Sequence, residues 1–465
     1  MRRLFAVVCA TGLAWGGTAT AETLADALSS AYKGSHLIEQ NQAVLRAADE
    51  GVAQAVGALR PVLEYAAQAN LQRSKSGSFL TPGTASGDVS QTQSFQLSAS
   101  MMIYDFGRGQ LGVELARENV MATRQSLTSV EQDVLLDAVS AYVDVRLQTE
   151  TLALRQSNTR LIAKELRAAK DRFDVGEATR TDVALAEARL AAAQAGEQGA
   201  QGALDLAKER FKATVGHYPE NLSGLPQAPK LPSSEEDARA VALQKHPAIL
   251  QLQHQVKIAD LQVEIAKVNF QPTITGRAAL TENWSKGEES VFSPDSESLS
   301  VQMSQTLYAG GQKASILREA IANQENARAG LHQTGVVISE NVGRAWSNIS
   351  VSTANIQSGE KQVRAAQAAF DGVKEEADLG ARTTLDVLDA EQDLLDARFA
   401  RLQAEANLYV GIYQLLSTMG LLTVDHLNLG VPTYDVEAYY NAVKTAPAHS
   451  AQGAALDRIL KTIGN

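Results

Sequence analysis

A segment of 63 residues, from Val113 to Val175, contains neither glycine nor proline and is rich in Ala, Leu, Glu, Gln and Arg. These residue types favour helix, so the segment predicts one helix about 95 Å long at about 1.5 Å per residue. The flanking segments Glu22–Leu59 and Thr179–Thr214 also have helical composition. Because a helix this long has no globular core to cover it, it must pack sideways against other long helices, as in a coiled coil or bundle.

The chain also repeats itself at an offset of 204 residues. Between 174–190 and 378–394, eight of 17 positions are identical, and the register extends from Tyr104 and its counterpart Tyr308 onwards. Nearer the N-terminus the match resumes at an offset of 211. Such self-similarity predicts two copies of one structural unit.

The duplication divides the chain into parts. Four of the 11 prolines fall in one short stretch between the two copies, which marks a linker or irregular region. We therefore expect a signal peptide at 1–21, a first repeat at 22–216, a Pro-rich linker at 217–234, a second repeat at 235–420, and a C-terminal segment with a flexible tail at 421–465.

A short corner motif occurs once in each copy. In the first copy Gly176 can end the long helix in the left-handed conformation, Thr179 can N-cap the next helix, and Asp182 can complete a capping box. The corresponding residues of the second copy are Gly380, Thr383 and Asp386. The motif predicts a tight helical hairpin, so each chain would have two hairpin tips.

Four segments of about ten residues alternate apolar and polar side chains with a period of two. The apolar positions are Leu63, Tyr65, Ala67, Ala69 and Leu71; Phe95, Leu97, Ala99, Met101 and Ile103; Ile274, Gly276, Ala278 and Leu280; and Leu299, Val301, Met303 and Leu307. This pattern is typical of transmembrane β-strands, although a pair of soluble two-sided hairpins has the same alternation. In a membrane the polar connections within each strand pair would face outside. Four strands cannot close a barrel and open edges are not viable in lipid, so several chains would have to combine their strands.

The N-terminus predicts export. Arg2 and Arg3 precede an apolar run that ends near Trp15, and Ala19–Ala21 supplies an A-x-A cleavage site. A membrane anchor is the alternative, but the run is shorter than the ~20 residues that a spanning helix needs. We expect cleavage before Glu22.

Composition excludes several classes of function. Removal of the two leader arginines changes the net charge of the chain from −11 to −13, which disfavours nucleic-acid binding. Cys9, the only cysteine, falls within the predicted signal peptide, so disulfides, thiolate metal sites and cysteine nucleophiles are not expected in the mature chain. The seven histidines are scattered. We expect no enzyme, metal or cofactor.

Several of these motifs together resemble the TolC-type outer membrane efflux proteins. The resemblance rests on the export signal, the duplicated strand–helix plan, YDFGRGQ at Tyr104–Gln110 with YAGGQ at Tyr308–Gln312, and the VGEAT and LGART corners. It extends over about Glu22 to Tyr440.

The resemblance implies a mixed α/β membrane protein. Three chains would form a 12-stranded outer membrane β-barrel, with four strands from each chain, continued by a periplasmic α-helical barrel of coiled-coil hairpins. Outer membrane lipid would surround the barrel. The assembly would be the passive exit duct of an efflux pump or a type I secretion system, gated at its periplasmic tip.

The resemblance also implies partners. A periplasmic adaptor would dock at the corners that contain Gly176, Thr179, Gly380 and Thr383, and an inner-membrane transporter of ABC, RND or MFS type would complete the machine. The alternative is a periplasmic adaptor or coiled-coil scaffold protein. Duplicated hairpins and strands with one apolar face argue against that alternative.

Two sets of site residues follow from the resemblance. Asp386 and Asp389 match an acidic ring at the aperture, although a solvated helix face would have the same pattern; Asp389 has Leu185 as its counterpart, so that carboxylate occurs only in the second copy. Arg382 resembles a gate latch that reaches a neighbouring corner at Thr181 and Asp182. Ala377 stands where the family often has a tyrosine latch, so the closed state is expected to depend more on the arginine or to rest more open.

Overall fold

The computed structural model describes residues 21–76, 86–286, 296–446 and 458. The same order of elements occurs twice, with two short helices, a pair of strands, one very long helix and a shorter one, followed by a final short helix. The elements are α1 (Leu24–Gly34), α2 (His36–Gly57), β1 (Val62–Ser76), β2 (Ser86–Tyr104), α3 (Arg108–Asp174), α4 (Arg180–Val215), α5 (Glu235–Lys245), α6 (Pro247–Val268), β3 (Thr273–Lys286), β4 (Ser296–Ser304), α7 (Gln312–Asp378), α8 (Thr384–Thr418) and α9 (Val436–Val443). The predicted signal peptide, most of the two strand connections and nearly all of the predicted tail lie outside the described residues.

The long helices confirm the duplication. α3 and α7 each contain 67 residues and begin at equivalent positions, after glycines with φ of 86° and 84°. Each is about 100 Å long at about 1.5 Å per residue. α4 follows α3 with 36 residues and α8 follows α7 with 35, so each copy has a long and a shorter helix joined at one end.

The segment Glu22–Leu59, predicted as helical from its composition, forms two helices rather than one. The chain breaks at Ser35, whose hydroxyl accepts a hydrogen bond from the backbone N–H of Ile38 at 3.3 Å. The second copy breaks at His246, before a proline at the first position of α6. Proline is compatible with a helix start but not with its interior, so both copies have paired short helices for different local reasons.

The strands form one antiparallel sheet in the order β1-β2-β3-β4. The register aligns Leu63, Ala99, Ala278 and Leu299 in one row across all four strands, which confirms the predicted apolar face. The first three strands are longer than predicted, with 15, 19 and 14 residues, whereas Leu307 lies beyond the end of β4 and the prediction placing it in a strand is wrong. Within the described residues β1 and β4 each pair with a single strand, so the sheet has two open edges.

The main apolar core surrounds the middle of α3. The fully buried Tyr142 belongs to this core. Its hydroxyl lies within hydrogen-bond distance of two carbonyl oxygens, that of Glu22 at 3.0 Å and that of Ser223 at 2.9 Å, and can donate to either. This contact holds the irregular segment 217–234 against α3. On another side α9 packs against α2, and Glu437 of α9 pairs with Arg124 of α3. The helices of the described residues include none with an apolar stretch long enough to cross a membrane.

Candidate functional site at the helical corners

The two corners have the same geometry, which confirms the predicted helix end and capping box. Gly176 and Gly380 have φ of 82° and 79°, a conformation that only glycine adopts readily. In the first corner the hydroxyl of Thr179 accepts from the N–H of Asp182 at 3.2 Å, and the carboxylate accepts from the N–H of Thr179 at 2.9 Å. Thr383 and Asp386 repeat both bonds at 3.3 and 2.9 Å.

Capping fixes the charge of both aspartates. The backbone N–H of Thr383, followed by its hydroxyl and the charge of Arg382, lowers the pKa of Asp386 below its usual value. Thr179 lowers the pKa of Asp182 in the same way. Both carboxylates are therefore ionised at neutral pH. The rise in pKa expected for a ring of like charges concerns an assembled aperture and stays a prediction.

Each hairpin has its own apolar seam behind the corner. The α3–α4 seam contains Ile162, Leu166 and Ala186, and Leu388 from α8 also belongs to it. The α7–α8 seam contains Phe370, Ala377, Val387 and Leu394. Leu388 therefore packs the second hairpin directly against the first. Ala377 is buried between α7 and α8, so it lies inside the hairpin rather than on an exposed face.

Two ion pairs join the hairpins near the corners. Arg189 of α4 donates to the carboxylate of Asp389 of α8 at 2.6 Å, and both side chains are about half exposed. Lys374 of α7 donates to Glu165 of α3 at 3.1 Å. Asp389, predicted as a carboxylate of the ring, thus pairs with an arginine of its own chain.

Arg382 lies at the second corner, where its guanidinium donates to Glu376 at 2.8 Å. Among the described residues it forms no hydrogen bond with Thr181 or Asp182, and one carboxylate oxygen of Asp182 accepts from Thr179. The latch stays a prediction.

Comparison with known proteins decides the family. The model of the family described as "Outer membrane efflux protein" matches residues 27–217 and 239–421, which together make up most of the chain. The chain belongs to the outer membrane efflux protein family. The two matched segments correspond closely to the two copies of the strand–helix unit.

Individual relatives agree with this family. The chain is 34% identical to the outer membrane efflux protein BepC of Brucella suis over 92% of both chains, and 24% identical to the outer membrane protein TolC of Escherichia coli over 74% of this chain and 72% of TolC. The CmeC outer membrane channel of Campylobacter jejuni has the same fold, with a TM-score of 0.75 at 14% identity over 91% of this chain and 89% of CmeC. The TolC-type resemblance is confirmed. This efflux protein is located in the outer membrane, with a large periplasmic portion.

Sequence reasoning missed four residues of the efflux protein that join its hairpins. They are Glu165, Arg189, Lys374 and Glu391. Two of them had a signal, since Lys374 and Glu391 are identical to their counterparts Lys170 and Glu187, but identity does not indicate burial. No group of three or more His, Cys, Asp or Glu side chains in the described part of the chain is placed to hold a metal ion.

Proposed function

We propose that three copies of this chain assemble into a continuous duct, which carries substrates from a periplasm-spanning efflux pump or type I secretion complex across the outer membrane. The duct performs no chemistry. Its strands form the membrane barrel, and its long helices form a tunnel that reaches down into the periplasm. Family membership supports this function over that of a periplasmic adaptor or scaffold.

The open four-stranded sheet carries the proposal. Large apolar side chains along β1 and β4 are strongly exposed in the single chain, with Leu63 at 75%, Leu71 at 76% and Leu299 at 85%. Lipid is the environment that suits such a face. The open edges, in contrast, have backbone groups that lipid cannot satisfy. When β4 of one copy pairs with β1 of the next in a closed barrel, the backbone groups of both edges are hydrogen-bonded and the apolar face lies against lipid.

Strand arithmetic favours three copies. A single sheet of four strands cannot close, since the smallest membrane barrels have eight strands. Two copies would give eight strands, and a barrel of eight has an interior that its own side chains fill. Three copies give 12 strands, the smallest multiple of four that leaves an open channel.

The helical tips supply the gate in this proposal. Asp386 and Asp389 from three chains would place six carboxylates around one axis, while Arg382 would reach Thr181 and Asp182 of a neighbouring corner. The corner residues Gly176, Thr179, Gly380 and Thr383 would form the docking surface for an adaptor. An inner-membrane transporter would load the tunnel from below.

A pair of lysine substitutions on β4 tests the membrane barrel. Leu299 lies on the apolar face, whereas Gln302 lies on the opposite face of the same strand. A lysine on the lipid side costs about 2–4 kcal/mol near the bilayer midplane. We expect Leu299→Lys to remove heat-modifiable trimers from the outer membrane fraction and Gln302→Lys to retain them.

Mass measurement and electrical recording complete this test. Native mass spectrometry of detergent-solubilised protein should give three chains per particle, and planar bilayers should show discrete conductance steps. A soluble monomer, or equal tolerance of both lysines, would reject the duct.

A further inference from the structure

A buried carboxyl group lies between the two hairpins, a few residues from the corner. Glu391 of α8 is only 3% exposed, and neither of its carboxylate oxygens has a hydrogen-bond partner among the described residues. Glu165 of α3 is 7% exposed and pairs with Lys374 of α7 at 3.1 Å. We call these three residues the Glu391 cluster. It joins three long helices at about 7.5 Å along α8 from Asp386, at about 1.5 Å per residue.

The duplicated chain supplies a direct comparison. Glu187, the counterpart of Glu391 in the first copy, lies on α4, where 53% of its side chain is exposed and it pairs with Lys170 at 2.8 Å. The same residue type is therefore solvated and paired in one hairpin, and buried without a partner in the other. Burying an ionised carboxylate without a partner is costly, so such groups become neutral instead.

We propose that Glu391 is a proton-dependent positioning residue for the periplasmic gate, which holds the α7–α8 hairpin against α3 when it is protonated and favours separation of the hairpins when it is ionised. The inference rests on the proposed function, since a gate requires a duct. It assigns the gate a response to periplasmic pH that is separate from the acidic ring and from the arginine latch.

Charge balance in the Glu391 cluster explains the switch. With Glu391 neutral, the ammonium of Lys374 and the carboxylate of Glu165 balance each other. Ionisation of Glu391 adds a second negative charge while Lys374 is engaged by Glu165, and water can reach the new charge only if α8 moves away from α3. On the α4 side Arg189 is already paired with Asp389.

The direction of the effect follows from the pKa of Glu391. Burial and, to a smaller extent, the charge of Glu165 raise this pKa to about 7, against an opposing effect of Lys374. In separated hairpins the carboxyl group returns towards its usual value of 4.5. The packed arrangement is therefore fully favoured below pH 4.5 and loses its advantage as pH rises through about 7, by up to about tenfold in the packing equilibrium per pH unit.

Distance measurements between the corners test this assignment. Glu177 and Ala381 are exposed residues of the two corners, and the chain has no cysteine other than Cys9 in the predicted signal peptide. Spin labels on Glu177→Cys and Ala381→Cys, in labelled chains diluted with unlabelled chains, report the separation of the hairpins by pulsed electron resonance. We expect the distance distribution to lengthen between pH 5 and pH 8.

Three variants make the result specific. Glu391→Gln should retain the pH 5 distribution at both pH values, while the matched control Glu187→Gln should respond like the parent protein. Glu165→Gln leaves Lys374 to pair with Glu391, so it should move the lengthening to lower pH. A parent protein without a pH response, or Glu391→Gln with an unchanged response, would overturn the proposal.

Conductance recordings separate failure of this inference from failure of the proposed function. The open probability of the parent channel in planar bilayers should rise from pH 5 to pH 8, and that of Glu391→Gln should not. If the distances respond to pH but no channels form, the duct is refuted and the switch survives as a hairpin property. If channels form with equal pH dependence in both proteins, the role of Glu391 is refuted.

Discussion

Arg189→Gln is expected to strengthen the block of the channel by multivalent cations. In the single chain Arg189 of α4 pairs with Asp389 at 2.6 Å, so one of the two aspartates that each chain supplies to the proposed aperture has its charge balanced. Removing the guanidinium exposes three carboxylates per trimer, and the aperture becomes more negative by three charges. A cation that enters the aperture then no longer competes with the arginine for Asp389.

The size of the effect follows from the exposure of the pair. The side chains of Arg189 and Asp389 are 43% and 55% exposed, so solvent screens their attraction and the pair is worth about 0.2–1 kcal/mol. Releasing Asp389 from this competition should raise its affinity for a cation by about 1.4-fold to 5-fold. Three equivalent sites acting on one La³⁺ ion would give a larger combined change.

Single-channel recordings with graded La³⁺ measure the effect. The half-blocking concentration should fall for Arg189→Gln and rise for Asp389→Asn. Arg344→Gln is the matched control, because Arg344 forms an exposed pair with Glu340 on α7 at 2.6 Å and its loss changes the net charge equally. An unchanged or weaker block in Arg189→Gln, or an equal gain in the control, would show that Asp389 does not face the permeating ions.

Three further predictions concern stability. Thr383→Ala should lose about 1 kcal/mol of helix capping and speed amide exchange at the second corner, as measured by mass spectrometry. Asp49 is 1% exposed, and burial raises its pKa from 3.8 to about 6. The parent protein should therefore lose up to about 3 kcal/mol of its free energy of unfolding as pH rises from 3.8 through 6. Asp49→Asn should reduce this pH dependence, as measured in guanidinium titrations. Gly420→Ala should destabilise more than Gly216→Ala, because a Cβ at Gly420 would lie 2.7 Å from the Cα of His246 whereas one at Gly216 meets nothing within 4 Å; equal unfolding midpoints would contradict this.

The sequence predicted the backbone of this protein well because its strongest signals are local and occur twice. Each of three signals predicts one kind of structure by itself. A long segment without glycine or proline predicts a helix, the repeated capping motif predicts a helical corner, and alternation of apolar and polar side chains predicts a strand. The offset of 204 located α7 even though glycines interrupt its sequence, as at Gly330 and Gly343. The break at Ser35 was missed, since a serine in a helical composition is not a strong stop signal.

The contacts between hairpins could not be predicted in the same way. Arg189 and Asp389 are 200 residues apart, and Lys374 and Glu165 are 209 apart. Whether such residues meet depends on the rotation of each helix about its axis, which a long polar helix with short apolar patches leaves undetermined. The same uncertainty hid the burial of Glu391, since its counterpart Glu187 is exposed.

The equal length of α3 and α7 restricts how this protein can vary. Adding a single residue to one of them would shift its tip by about 1.5 Å and rotate the corner by about 100°. A change of seven residues, close to two turns, nearly restores the original face, but only if the antiparallel neighbour and the other copy lengthen equally. Related channels whose helical tunnels differ in length should therefore differ by two helical turns in α3, α4, α7 and α8 alike. Unmatched insertions should be confined to the strand connections and the chain ends.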